Sequence, residues 1–188
     1  PGVVEPFVLR AREAQAKGLL RFGFRHRVDE LLVEGGAAVG VRGALLAADA
    51  MPRGQPSSRE AIGDFELRAQ AIVVASGGIG GNHELVRRHW PARLGTPPAH
   101  MLSGVPAHVD GRMLDIAGAA GARLINRDRM WHYVEGIENW NPIWPRHAIR
   151  ILPGPSPLWF DATGRRLPVP LWPGFDTLGT LEYLRGTG

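Results

Sequence analysis

Cysteine is absent from the chain, which excludes disulfides and thiolate metal sites and makes a reducing, cytoplasmic location the matching expectation. Long hydrophobic runs are missing too. No stretch reaches the roughly 18 consecutive apolar residues that a membrane-spanning helix needs. Basic runs are equally scarce: the formal charge is only +4, carried by scattered arginines, so nucleic acid is not an expected partner. The 7 histidines include no helical pair four residues apart beside an acid, and no metal site is expected. Only 2 tyrosines are available for proton transfer. The opening residues "PGVVEPFVLR" contain neither a methionine nor the pattern of a signal peptide, and the expectation is an internal piece of a longer protein.

What is present suffices for one ordinary domain or two small ones, with 44% hydrophobic residues. The 25 glycines and 16 prolines, most of the latter beyond Pro91, predict a loop-rich second half. "EPFVLRAREAQAKG" reads as a short helix, with Pro6 in its first turn and Gly18 as its stop. The apolar-rich runs 19–34 and 37–47 meet at Gly35-Gly36 and predict a β-hairpin or meander. Residues 51–64 lack periodicity and read as an exposed loop, whereas "FELRAQ" alternates like a half-buried strand. "AIVVA", residues 71–75, is continuously apolar and fits a parallel strand buried on both faces. Asn82 is a good N-cap for a helix through "HELVRRH". Val109, Met113, Ile116, Ala117 and Ala120 mark one face of a further helix, with Asp110 at its start and Gly121 at its stop. Beyond Asn126 the chain holds five of its 6 tryptophans and shows no clear period.

The glycine-rich stretch "SGGIGGN", residues 76–82, follows the apolar run where nucleotide enzymes commonly hold phosphate. It fits neither standard fingerprint. Read from Gly78, the third glycine of Gly-x-Gly-x-x-Gly is missing, and no Lys-Ser or Lys-Thr closes a P-loop. A sharp strand-to-helix turn explains the glycines as well as a ligand does. At this level the two readings stand side by side.

Three segments nevertheless carry a resemblance. The Ala-Ser-Gly-Gly after an apolar run, with Asn82, Glu84 and Leu85 beyond it, resembles the Ala-Thr-Gly-Gly and Asn-x-Glu-Leu steps of a flavoprotein family. That family comprises fumarate reductases, succinate dehydrogenase flavoprotein subunits and 3-ketosteroid dehydrogenases. "HVDGRMLDIAGAAGARLIN" resembles its Gly-Asp-Gly helix, with Val109 replacing the first glycine. "PLWFDATGRRLP" resembles its Gly-Arg-Arg-Phe turn, with Leu167 for phenylalanine.

The resemblance implies an α/β fold, or α+β in the isolated fragment: part of a flavin-binding Rossmann-like domain with a β-meander, plus part of a capping or substrate domain. Residues 1–95 would belong to the first, including its last parallel strand, and 96–188 to the second. It implies FAD as cofactor, with the Val28 backbone near the adenine, Ser76, Gly77 and Gly78 along the dinucleotide, and Asp110 touching it from a helix start. For Asp110, capping the helix is an equal alternative. The partner would be a small-molecule substrate, steroid-like in kind, and a homo-oligomer is compatible with the family. The family's fumarate-reducing arginine has no counterpart in "PVPLWPGF", so dicarboxylate reduction is not expected. No catalytic residue carries over. His132 and Tyr133 are the candidates, and packing beside Trp131 is their competing role. Likewise the tryptophans at 131, 140, 144, 159 and 172 fit either an apolar pocket or simple burial.

The function so implied is hydride transfer between flavin and an organic substrate, in a ketosteroid-dehydrogenase-like enzyme of which this chain is an internal, by itself inactive, piece. The alternatives are a stand-alone, non-enzymatic ligand-binding or interaction domain and a mononucleotide-binding domain. Because these 188 residues contain no Gly-x-Gly-x-x-Gly turn, the chain alone is expected to bind FAD weakly in a fluorescence titration, and tight retention of yellow cofactor would contradict this.

Overall fold

The structure is a computed structural model describing residues 2–52, 55–151, 158–171 and 174–187. It combines short helices with antiparallel strands in two compact units, Pro1–Ala50 with Ser57–Ala71, and Met51–Pro56 with Ile72–Gly188.

The first unit begins with helix α1 (Glu5–Ala16), which carries proline in its first turn as expected and buries none of its residues. A three-stranded antiparallel meander follows: β1 (His26–Glu34), β2 (Ala37–Leu46) and β3 (Ala61–Arg68), in the order β1-β2-β3. The β1–β2 connection is the two-residue turn expected at Gly35-Gly36, with φ of 57° and 81°. Two positive angles in succession match the strands' right-handed twist, and glycine adopts them without steric cost.

Register is marked by charge. Glu30 pairs across to Arg42 and Arg42 to Glu66, a row of alternating sign over all three strands, and Glu30 is ion-paired with Arg42. Such exposed pairs add little stability, but a shifted register would break the alternation. The buried apolar side chains of this unit are Ala44 and Leu46.

Two expectations need correction here. Residues 61–64, read as loop, are the start of β3, because Ala61 pairs with Leu46 and Gly63 with Leu45. The preceding residues are held by Arg25, whose guanidinium donates to the Ala47 carbonyl (2.8 Å), Ser57 Oγ (3.1 Å) and the Ser58 carbonyl (2.6 Å). Arg25 itself has φ of 61°, a strained conformation for a side-chain-bearing residue that these bonds over-determine. The second correction concerns "AIVVA". Residues 71–75 form no strand, and Val73 is 88% exposed. A parallel strand exists only through its neighbours, and among the described residues none lies alongside.

The second unit contains α2 (His83–Arg88), one 3₁₀ turn (Ala92–Leu94), α3 (Arg112–Ala119), the short pair β4 (Gly136–Glu138) and β5 (Ala148–Arg150), and α4 (Thr177–Thr187). Helix α2 starts as expected, with Asn82 Oδ1 accepting from the Leu85 N–H at 3.0 Å. Helix α3 ends at Gly121, φ 87°, where the Ala122 N–H bonds the Ala117 carbonyl and the Gly121 N–H bonds that of Gly118. Those paired bonds form a Schellman motif. Met113, Ile116, Ala117 and Ala120 are the half-buried positions, the face that periodicity predicts.

The elements β4, β5 and α4 lie where no period is legible. Helix α4 contains Thr177, Gly179 and Thr180, poor helix formers, and is secured by Asp176, which accepts from the Gly179 N–H at 2.8 Å. Thr180 is fully buried, as are Leu94 and Pro91 in the 3₁₀ region against which α4 packs. The expected turn in "FDATGRR" is present as a single bridge, Phe160 to Arg166, organised by Asp161 Oδ1, which accepts from the Thr163 and Arg165 N–H groups.

Arg25 is the testable joint of the first unit. Arg25→Ala is expected to lower stability by about 1–3 kcal/mol and to raise deuterium uptake first at residues 57–60. Arg25→Lys should recover less than half of the loss, because an ammonium cannot reproduce the forked contacts. Wild-type uptake in the alanine variant would contradict this role.

Candidate functional site

The glycine-rich loop is built against the segment that leads into α3. The Gly81 N–H donates to the Val109 carbonyl at 2.8 Å, and Asn82 Nδ2 to the Asp110 carbonyl at 3.3 Å. A Cβ at Gly81 would sit 2.6 Å from the Pro106 carbonyl oxygen and 3.0 Å from that of Val109. Gly111 answers from the other side: a Cβ there would lie 2.6 Å from both Ile79 Cγ2 and Leu85 Cδ2, at a φ of +79°. These two glycines let the loop and the start of α3 touch.

Gly78 differs, since a Cβ there would meet nothing within 4 Å. Ser76, Gly77 and Gly78 are all exposed, and Gly77 sits at φ +90°. The stretch therefore divides into a packed half at Gly81 and an open half at 76–78, where a ligand can reach the backbone.

Asp110 stands beside this loop, and its Oδ1 accepts from the Arg112 N–H at 3.0 Å. The helix itself begins one residue later than the sequence suggests, with Gly111 at the cap position. Val28 belongs to the first unit, half-buried in β1 and paired with Gly43. Its place in a cofactor site rests on the resemblance.

A cleft of about 530 Å³ opens next to Gly78, walled by Ile79, Leu85, Val86, Leu114 and His132 among others. The His132 ring lies 4.7 Å from that of Trp90, and its Nε2 is buried with no partner among the described residues. Burial first, then Arg93, lowers its pKa below the ordinary histidine range, so the ring is neutral at physiological pH. Tyr133 has different neighbours: it stacks on Trp131 at 5.8 Å, with the Arg150 guanidinium 4.2 Å from its ring centre. Arg150 in turn is ion-paired with Glu135, whose side chain is wholly buried.

The tryptophans do not gather. Trp131 lines the cleft, Trp140 is 83% exposed, Trp144 donates to the Ser103 carbonyl at 3.0 Å, and Trp172 lies outside the described residues. Trp159 is half-buried, with a partnerless indole N–H among the described residues. Among those residues no cluster of three His, Asp or Glu side chains is placed to hold a metal.

Sequence reasoning missed His83, Ser103 and Arg146. Ser103 lies 20 and Arg146 63 residues beyond His83 along the chain, yet the three form one hydrogen-bonded group around a second cleft of about 560 Å³. No local pattern announces them, because the contacts arise only when the loop at 101–105 and the turn at 144–147 fold together.

An exposed glycine backbone, an adjacent apolar cleft and a meander in the same chain are features of a cofactor-binding domain. The chain belongs to the FAD binding domain family, whose pattern matches residues 1–183, and FAD is its cofactor. It is 63% identical over all 188 residues to a KsdD-like steroid dehydrogenase of Mycobacterium tuberculosis, and 62% identical to a KsdD-like steroid dehydrogenase of Mycolicibacterium smegmatis. The chain spans 33% and 34% of those proteins' lengths. No solved structure matches it.

The division of the glycines has a direct test. Gly81→Ala and Gly111→Ala should each cost about 1–3 kcal/mol in chemical denaturation through overpacking, and Gly78→Ala should stay within about 0.5 kcal/mol of wild type.

Proposed function

We propose that this chain is an internal segment of an FAD-dependent dehydrogenase that moves a hydride between flavin and a steroid-like small molecule. The observation that carries the reading is the end-to-end match to the KsdD-like steroid dehydrogenases, together with an open glycine edge beside an apolar cleft. Residues 1–95 would contribute the meander and, at 71–75, the last parallel strand of a Rossmann-like flavin domain. In the longer protein the exposed Val73 and Val74 would then find strand neighbours. Residues 96–188 would contribute to the capping or substrate domain.

The residues present fit one edge of the cofactor. Ser76 and the backbone of Gly77 and Gly78 are accessible and would lie along the dinucleotide, with Val28 near the adenine. They do not supply the pyrophosphate site. The start of α2 is closed by Asn82 on the Leu85 N–H, and that of α3 by Asp110 on the Arg112 N–H. With its carboxylate spent on the cap, Asp110 would reach the cofactor through its remaining oxygen or its backbone.

Bound flavin supplies the hydride acceptor or donor. The chain's part is orientation: the aliphatic walls at Leu85, Val86 and Leu114 suit an apolar ring system, and neutral His132 would serve as a polar anchor once its ring turns the enclosed, partnerless Nε2 into the cleft. Tyr133 is the second candidate for proton transfer. A cytoplasmic location agrees with the lack of cysteine.

The full-length protein is expected to show flavin absorption bands that bleach anaerobically with a ketosteroid and not with a dicarboxylate. Gly78→Ala should lower FAD affinity about tenfold, roughly 1.4 kcal/mol, at unchanged stability. A colourless full-length protein would sink the proposal.

A further inference from the structure

The group of His83, Ser103 and Arg146 has a defined polarity. Arg146 Nη1 lies 3.1 Å from His83 Nδ1, His83 Nε2 lies 2.8 Å from Ser103 Oγ, and Ser103 Oγ lies 3.0 Å from the Gly80 carbonyl oxygen. A guanidinium only donates and a carbonyl only accepts. The two ends therefore fix every hydrogen between them: Nδ1 must be the unprotonated nitrogen of His83, Nε2 carries the proton, and the Ser103 hydroxyl passes its own to Gly80. This assignment makes Ser103 an acceptor from His83, so the pair is not a nucleophile with its base. An imidazolium would point an Nδ1–H at the guanidinium, and burial together with Arg146 and Arg87 keeps His83 neutral.

The anchor of the chain is itself rigidly held. Ser103 is 6% exposed, its N–H donates to the Arg146 carbonyl at 2.7 Å, and its carbonyl accepts from the Ala148 N–H at 2.9 Å. Arg146 adopts φ of 56°, a left-handed conformation that turns backbone and side chain towards the Ser103–His83 pair. At the other end, Gly80 lies between the open residues 76–78 and the packed Gly81. A Cβ at Gly80 would come 3.0 Å from Val105 Cγ2, so the loop already rests on the segment that carries Ser103.

We propose that His83 is a positioning residue for the glycine-rich loop, fixing the Gly80 carbonyl through Ser103 with its own tautomer set by Arg146. The relay ties the loop at Gly80, next to its open half, to the turn at 144–147 by one directed line of hydrogen bonds. Its bearing on catalysis rests on the reading that Ser76 to Gly78 face the flavin. The relay itself does not.

The test uses the full-length protein that carries this chain, labelled with ¹⁵N-histidine. The His83 signal, assigned by its loss in His83→Gln, is expected to show a neutral ring protonated at Nε2 at neutral pH. Hydrogen exchange of the 76–82 peptide should run about fivefold faster in Ser103→Ala and His83→Leu, the factor that one lost hydrogen bond of ordinary strength supplies. His83→Gln offers both a donor and an acceptor, and should restore near-wild-type exchange. Exchange of the β1–β2 peptides should not change in any variant, which separates a local effect from general unfolding. A ring protonated at Nδ1, unchanged exchange in the first two variants, or a glutamine variant as fast as the leucine one would each overturn the proposal. None of these readouts needs bound FAD, so a failed cofactor assignment would appear as missing flavin bands with the relay intact.

Discussion

The second unit depends on two missing side chains. At Gly81 and Gly111 the glycine-rich loop and the start of α3 approach until a single Cβ would collide, with carbonyl oxygens on one side and with Ile79 and Leu85 on the other. That contact sets where α2 and α3 stand, and hence the cleft between their walls. Interior packing tolerates little added volume, so this crossing is a stricter constraint than any of the exposed ion pairs.

The glycines show how far local sequence goes. A strand-to-helix turn and a ligand-approach loop demand the same residue, and the four glycines between Ser76 and Asn82 look alike on the page. Folded, they separate by environment, one pressed against backbone and one open to solvent. The caps were readable because their chemistry is local: Asn82 reaches three residues ahead, and Gly121 needs only its own φ. The hairpin at Gly35-Gly36 was readable for the same reason.

What stayed illegible depends on distant partners. Residues 71–75 form no strand in this chain because an apolar run records a preference for burial without supplying neighbours. The start of β3 was hidden in a turn-rich stretch, since its pairing with Leu45 and Leu46 outweighs weak propensity. Helix α4 overrides its two glycines and its threonines through burial of Thr177 and Thr180. Ser76 to Gly78 and Asp110 were named through motif resemblance, and what the fold shows is the glycine-rich loop bonded to Val109 and Asp110. His83, Ser103 and Arg146 carry no motif, and only the fold assembles them.

Helix α3 is fixed at both ends, by Asp110 and Gly111 at one and by the paired bonds around Gly121 at the other, yet none of its own residues is buried. A wall anchored at its ends can change its face without losing its place. Leu114 and Asp115, which look into the cleft, are thus free to vary in size and polarity at small structural cost. The lining of the cleft can therefore change at those two positions while the scaffold stands still.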